Sequence, residues 1–126
     1  MEESKPEKIV VIITHGVDDP EKATLAFVHA NAALAVDVEV VVVLQGIAVF
    51  LSKKGCYEHL FWPGFDPIHK LLNYCLEFGG KVFVCTPCIQ ERQITTDMLV
   101  DKVEPIKSGS VIQHILEAKA VLSPGS

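Results

Sequence analysis

The stretch KIVVIIT, residues 8–14, decides the fold, because it is an almost unbroken run of β-branched residues without polar alternation. Such a run predicts a strand that is buried on both faces. Four further segments repeat the pattern, two strongly and two weakly: DVEVVVVL at 37–44, KVFVC at 81–85, KVEPI at 102–106 and KAVL at 119–122. Because proline cannot donate a backbone hydrogen bond, Pro105 predicts that the segment containing it lies at an edge of the sheet or is shortened.

Two amphipathic helices are predicted between these strands, because apolar residues recur at helical spacing over 23–34 and 68–76. In the second helix, Asp66 is the predicted N-cap and Pro67 the predicted first residue. Glycines at 79 and 80 are the predicted stop of that helix. The two helices separate the three strong strand candidates from one another.

A third helix is predicted near the end of the chain, because four apolar residues form a stripe at helical spacing: Val111, Ile112, Ile115 and Leu116. Strands that alternate with helices predict right-handed βαβ units. We therefore expect an α/β fold, a three-layer α/β/α sandwich with a mostly parallel sheet of about five strands. No repeat or linker interrupts the pattern, so residues 1–126 are expected to form a single domain.

The composition argues against several classes of partner. The chain has 126 residues, a net charge of −5 and scattered lysines, so we expect no nucleic-acid binding, which requires a basic face. No apolar run is long enough to cross a bilayer, and the charged segment 1–8 precedes no signal-peptide core, so we expect a cytoplasmic protein without membrane contact. Apolar residues make up 49% of the chain, which predicts self-association unless the doubly covered sheet accounts for the excess.

Residues able to do chemistry follow three of the predicted strands. His15 comes after the first strand, Gln45 and Gly46 after the second, and Cys85 and Cys88 at the end of the third. In open parallel sheets the functional groups gather beyond the carboxyl ends of the strands. If these strands are neighbours, an imidazole, an amide and two thiols meet at one edge.

The pair Cys85 and Cys88 is the strongest chemical feature of the sequence. Cys85 ends a predicted strand, and the residues after it predict a helix with Pro87 at an early position. A thiol at the start of a helix faces unpaired N–H groups, which favour the thiolate that attacks sulfur electrophiles. Arg92 is expected to add positive charge or to hold an anionic substrate. Cys88 is within reach to resolve an intermediate as a disulfide.

The C-x-x-C spacing has other interpretations. A structural zinc site needs a second pair of ligands, which Cys56 and Cys75 do not supply. The proline between Cys85 and Cys88 is compatible with dithiol–disulfide exchange, and a purely structural role for the pair is a further alternative. The sequence contains no phosphate-binding glycine motif and no serine-hydrolase elbow. We therefore expect no metal and no organic cofactor.

A long loop rich in aromatic residues precedes the second helix. It covers residues 52–67 (SKKGCYEHLFWPGFDP) and has no clear period. Loops of this length usually act as lids or interfaces, and we expect one of these roles. The alternative is that the rings only pack over an edge of the sheet.

The chain resembles the DsrE/DsrF-like family of small sulfur-handling proteins over nearly its whole length. Five segments carry the resemblance: THGVDDPEKA at 14–23, VVVLQGIAV at 41–49, FDPI at 65–68, GGKVFVCTPC at 79–88 and EAKAVLS at 117–123. The most specific piece is V-C-x-x-C-x-x-x-R, from Val84 to Arg92. Family members often have glycine after that arginine, where this chain has Gln93.

The resemblance implies a sulfurtransferase or sulfur-relay protein, in which Cys85 takes up sulfane sulfur as a persulfide and passes it on. Its partners would be sulfur donor and acceptor proteins or small sulfur compounds, and it would form a homo-oligomer, a trimer or hexamer. In this hypothesis Cys88 is a resolving or second acceptor thiol, Arg92 stabilises anions, and His15 shuttles a proton or lines the site. Two alternatives are a non-catalytic oligomeric binding or scaffold protein with inert thiols, and dithiol–disulfide exchange through the cysteine pair.

Overall fold

The computed structural model describes residues 6–124, which form five strands and four α-helices. The strands are β1 (Lys8–Ile13), β2 (Glu39–Leu44), β3 (Lys81–Cys85), β4 (Glu104–Ile106) and β5 (Ala120–Leu122). The helices are α1 (Pro20–Ala35), α2 (Ile68–Glu77), α3 (Thr86–Glu91) and α4 (Ser108–Glu117), with 3₁₀ segments at Gly46–Ser52 and Thr96–Met98. Residues 1–5 of the charged N-terminal segment lie outside the described residues. Within residues 6–124, no helix has both the length and the hydrophobicity needed to cross a membrane.

Within residues 6–124 all five strands are parallel and follow the order β4-β3-β2-β1-β5. This arrangement confirms the predicted α/β fold with a mostly parallel sheet of about five strands. β2 lies at the centre, and each valine from Val40 to Val43 is at most 1% exposed. The proline-containing segment forms the short strand β4 at one edge, as Pro105 predicts.

Helices cover both faces of the sheet, so the expected three layers are present. Successive side chains of a strand point to opposite faces. Val40 and Val42 accordingly belong to the main core cluster beneath α1 and α2, whereas Val41 and Val43 belong to a second cluster with Val111 of α4. The central strand is therefore buried from both sides.

The second helix begins one residue later than predicted, so the assignment of Asp66 as its N-cap is wrong. Pro67 takes the N-cap position with φ −53° and ψ 145°, and α2 starts at Ile68. The N–H of Ile68 donates to the carbonyl of Leu60 in the preceding loop at 3.0 Å. A loop carbonyl therefore satisfies one of the unpaired donors of the first turn, and Asp66 lies instead 3.9 Å from Lys70 on the surface.

The predicted third helix is present as α4, and two of the four residues of its apolar stripe are buried or partly buried. Val111 is buried and Ile115 partly buried, whereas Ile112 is 53% and Leu116 79% exposed. Neighbouring residues of a helix point about 100° apart, and the sheet-facing row continues from Val111 through Ile115 to Ala118. Ile112 and Leu116 therefore lie beside that row and leave an apolar strip exposed.

A charged contact joins α4 to the first strand. The Lys8 ammonium lies 2.7 Å from Glu117 Oε1 and 2.9 Å from His114 Nδ1, and Lys8 is only 8% exposed. An ammonium can only donate a hydrogen bond, so His114 Nδ1 accepts and the ring is neutral. Burial, followed by the charge of Lys8, lowers the pKa of His114. The folded state therefore favours neutral His114.

We predict that the free energy of unfolding decreases as the pH falls below 6.5, the ordinary pKa of histidine. The unfolded chain binds a proton on His114 more tightly than the folded chain. The stabilisation is therefore complete above that value and is lost as the pH falls towards the lower pKa of the folded state. Urea unfolding at about pH 7.5 and about pH 5.5 measures the difference, in a range above the titration of most carboxylates.

The control for this prediction is His114→Gln, which keeps a polar side chain but does not titrate. Glu39, Lys81 and Glu117, whose charges also act on His114, remain in both proteins. The variant should lose most of the pH dependence between the two conditions. An identical pH dependence in the variant would show that His114 does not carry the effect.

Candidate functional site

The carboxyl ends of three adjacent strands form one edge of the sheet. Ile13 pairs with Leu44, and Leu44 pairs with Val84, so β1, β2 and β3 end level with one another. Cys85 is the last residue of β3 and the N-cap of α3. The chain segments that follow the three strands therefore start at the same edge, as the sequence predicts.

The local sequence places both thiols in the first turn of α3. Pro87 occupies an early helical position, where its fixed φ and missing N–H are tolerated. The hydroxyl of Thr86 donates to the carbonyl of Ile106 in β4 at 2.8 Å, which attaches this turn to the neighbouring strand. Residues three apart on a helix are neighbours, and Cys85 and Cys88 have this spacing.

The two thiols are in direct contact. Their Sγ atoms are 2.7 Å apart, and the N–H of Gly46 donates to Cys88 Sγ at 3.4 Å. Both cysteines are free and partly exposed, and Cys88 packs against the main core cluster. Gly46 has a φ of +57°, a left-handed conformation that glycine adopts without strain. The pair is thus a preformed dithiol, held between β3 and the segment that follows β2.

The surroundings of Cys85 oppose its ionisation. Burial, followed by the adjacent Cys88 thiol, raises the pKa of Cys85. The backbone N–H of Cys88 and the charge of Arg92 act in the opposite direction without reversing the result. The net direction is therefore opposite to the one expected from the start of a helix, because burial and a touching thiol outweigh the helical N–H groups.

Arg92 lies at the end of α3 with its side chain directed back along the helix. Its Nη1 donates to the carbonyl of Cys88 at 3.1 Å. Its positive charge acts to lower the pKa of Cys85. The next residue, Gln93, has a φ of +57°, and the N–H of Ile94 donates to the carbonyl of Ile89 at 2.9 Å. Gln93 therefore adopts the left-handed turn that glycine favours at the end of a helix.

His15 lies at the same edge, but β2 separates its strand from the thiols. Its Nδ1 is 2.7 Å from Asp18 Oδ2, and the other oxygen of Asp18 accepts the N–H of Gly16 at 2.8 Å. These hydrogen bonds, from Gly16 first and His15 second, hold the pKa of Asp18 below its ordinary value. Because neighbouring strands are about 4.8 Å apart, β1 and β3 are about 10 Å apart. The structure pairs His15 with Asp18, on a strand that is not adjacent to β3.

Two contributors to this edge, Asp18 and Thr86, were not predicted from the sequence, and Gly46 was predicted at the edge but without its contact to Cys88. Asp18 has a visible signal, a carboxylate three residues after His15 in the same turn. The contact of Gly46 with Cys88 depends on β2 and β3 being neighbours, and that of Thr86 depends on β4 being next to β3. Neither dependence can be read from one sequence, because strand order is a tertiary property.

The other two cysteines lie outside the pair. Cys75 is fully buried in the core, and burial raises its pKa to about 11. Cys56 is partly buried in the aromatic loop, where four rings are 36–56% exposed: Tyr57, Phe61, Trp62 and Phe65. Two open cavities, of about 470 and 660 Å³, are lined by other residues and include neither Cys85 nor Cys88. The dithiol therefore lies outside these two cavities, on two cysteines that are each partly exposed.

Comparison with known proteins gives a family and a fold. The model of the DsrE/DsrF-like family matches residues 7–124. An uncharacterised protein of Methanopyrus kandleri is 30% identical over 115 residues, which covers 90% of this chain and 91% of that protein. An uncharacterised protein of Methanocaldococcus jannaschii is 27% identical over 101 residues, covering 80% of this chain and 37% of that longer protein. Neither relative has a named activity.

Solved structures share the architecture. The ychN protein from E. coli matches with a TM-score of 0.79 at 24% identity, covering 93% of this chain and 98% of that one. A protein of unknown function from Methanobacterium thermoautotrophicum matches with a TM-score of 0.75 at 16% identity, covering 94% and 99%. At these identities the likeness shows the fold and no more.

We predict that Cys88→Ala increases the alkylation rate of Cys85 at neutral pH several-fold. The substitution removes a thiol that raises the pKa of Cys85 and keeps the backbone N–H that lowers it. Arg92→Gln should have the opposite effect, because it removes a positive charge that favours the thiolate. Iodoacetamide labelling across a range of pH, followed by peptide mass spectrometry, gives the Cys85 pKa in each protein. Equal values in all three proteins would contradict this electrostatic account.

Proposed function

We propose that this chain, which belongs to the DsrE/DsrF-like family, is a sulfurtransferase or sulfur-relay protein that carries sulfane sulfur as a persulfide on Cys85. The observation that carries the proposal is the pair of touching thiols, on two partly exposed cysteines at the carboxyl edge of a parallel sheet. Working groups of such sheets gather at this edge. A relay needs a thiol that donors and acceptors can both reach.

The proposed loading step is a displacement on sulfur. The Cys85 thiolate attacks the outer sulfur of a donor such as thiosulfate, forms a new S–S bond, and expels sulfite with the electron pair of the broken bond. The products are a Cys85 persulfide and sulfite, so no external oxidant is needed. The raised pKa of Cys85 keeps most of the thiol protonated at neutral pH, and the thiolate fraction therefore limits the rate.

Arg92 and His15 have supporting roles in this proposal. The guanidinium of Arg92, directed back towards the pair, attracts anionic donors and favours the Cys85 thiolate. His15 lines the same edge, and its hydrogen bond to Asp18 fixes its ring. Since β2 lies between its strand and β3, we assign His15 to the wall of the site. We do not assign it the role of a proton shuttle.

The proposal extends to assembly and location. A homo-oligomer, a trimer or hexamer, would cover the apolar strip of α4, where Ile112 and Leu116 are exposed, and Val121 of β5, which is 41% exposed. Sulfur donors and acceptors, either proteins or small sulfur compounds, are the proposed partners. The proposed location is the cytoplasm, whose reducing conditions keep a dithiol free.

Dithiol–disulfide exchange is the second candidate, and the 2.7 Å between the two Sγ atoms favours it. In that function the pair itself is the redox centre and no sulfur atom is transferred. The two candidates differ in what remains on the protein after reaction with a sulfane donor. In a protein without Cys88 a relay leaves an added sulfur atom on Cys85, whereas exchange, which needs both thiols, leaves none.

We predict that a Cys88→Ser variant incubated with thiosulfate or polysulfide gains the mass of one sulfur atom on Cys85. The variant is used because it has no neighbouring thiol that can remove the persulfide. Adding Cys85→Ser should abolish the gain, whereas adding Cys56→Ser, which removes a thiol of the aromatic loop, should leave it unchanged. No gain on Cys85 with either donor, in a variant with normal circular dichroism, would refute the relay.

A further inference from the structure

We infer that the Cys85–Cys88 pair has a second activity, the reduction of bound sulfane sulfur to hydrosulfide. This inference rests on the proposed function, because it starts from the Cys85 persulfide. The observation behind it is the 2.7 Å between the two Sγ atoms. A disulfide bond is about 2.05 Å long, so only a small further approach joins them.

The proposed step balances without any outside reagent. The Cys88 thiolate attacks Cys85 Sγ, a Cys85–Cys88 disulfide bond forms, and the bond between Cys85 Sγ and the outer sulfur breaks. The electron pair of the broken bond leaves with the outer sulfur as hydrosulfide. The outer sulfur is reduced, and the two cysteine sulfurs are together oxidised to the disulfide.

The position of Cys88 favours this attack over transfer of the outer sulfur to an external acceptor. Cys88 Sγ accepts the Gly46 N–H, its carbonyl accepts the Arg92 guanidinium, and its side chain packs against the main core cluster. These contacts hold the second thiol beside the first before any sulfur arrives. A preplaced nucleophile reacts as if at a very high local concentration.

The leaving groups favour attack on Cys85 Sγ. Rates of thiol–disulfide exchange increase as the leaving thiolate becomes less basic. Hydrosulfide is less basic than an alkyl thiolate, so it leaves readily from Cys85 Sγ. Attack on the outer sulfur would instead expel the Cys85 thiolate, whose protonated form is favoured by its partly buried site.

The chemistry of this step defines the classes of reaction that precede it and follow it. A sulfane compound, such as a persulfide, a polysulfide or thiosulfate, supplies the sulfur. The products are hydrosulfide and a disulfide, so a dithiol reductant must restore Cys85 and Cys88 before the next turnover. Without that reductant the protein should stop after one turnover. A step that consumes hydrosulfide is the class of reaction that follows.

A single-turnover experiment tests the inference. Reduced protein is mixed with thiosulfate without oxygen or external thiol, and both trapped hydrosulfide and the intact protein mass are followed over time. The unmodified chain should release about one hydrosulfide per chain and lose two hydrogens as the Cys85–Cys88 disulfide forms. Cys88→Ser should keep the added sulfur on Cys85 and release hydrosulfide only after a dithiol is added. Cys56→Ser should behave like the unmodified chain.

The outcomes separate this inference from the function on which it rests. If the unmodified chain keeps its added sulfur as long as Cys88→Ser does, the reductive step is refuted and the relay stands. A disulfide formed without hydrosulfide would mean ordinary oxidation, and it also refutes the step. If Cys88→Ser takes up no sulfur, both the relay function of Cys85 and the reductive step are refuted. A Cys88→Ala variant repeats the comparison if the serine variant does not fold.

Discussion

The burial of β2 on both faces is the constraint on which the rest of the structure depends. A strand that carries Val40 to Val43 in succession has no solvent-exposed face, so layers must cover it from both sides. The parallel register that follows aligns Ile13, Leu44 and Val84 at one edge. The residues that come next in the chain then meet there because the strands stop together. The position of the dithiol is therefore a consequence of core packing.

The chemistry of this edge is governed by opposing effects on one sulfur atom. Burial and the neighbouring thiol disfavour the charge on Cys85, while a backbone N–H and Arg92 favour it. The result is a thiol that is mostly protonated at rest, next to a second thiol held by Gly46 and the core. A protonated resting state protects the pair from indiscriminate oxidation, because the thiolate is the reactive form. The close contact of the two Sγ atoms is the observation from which we infer that a persulfide on Cys85 would react with Cys88.

Most of the architecture could be predicted from the sequence, because runs of β-branched residues and helical spacing are local signals. The strand that ends at Cys85 and the helix that follows it were predicted correctly for this reason. The predictions failed where the answer depends on a neighbouring element. A loop carbonyl displaced Asp66 from its capping role, and burial reversed the expected pKa direction of Cys85. The contact of Gly46 with the site likewise required the strand order.

The most direct test of the central claim is a crystal structure of the Cys88→Ser variant after soaking in thiosulfate without oxygen. The relay predicts one additional sulfur atom covalently bonded to Cys85 Sγ, at the edge of the sheet where β3 passes into α3. Additional sulfur on Cys56 alone, or an unmodified Cys85 beside a fully occupied donor, would contradict the assignment of this thiol as the carrier.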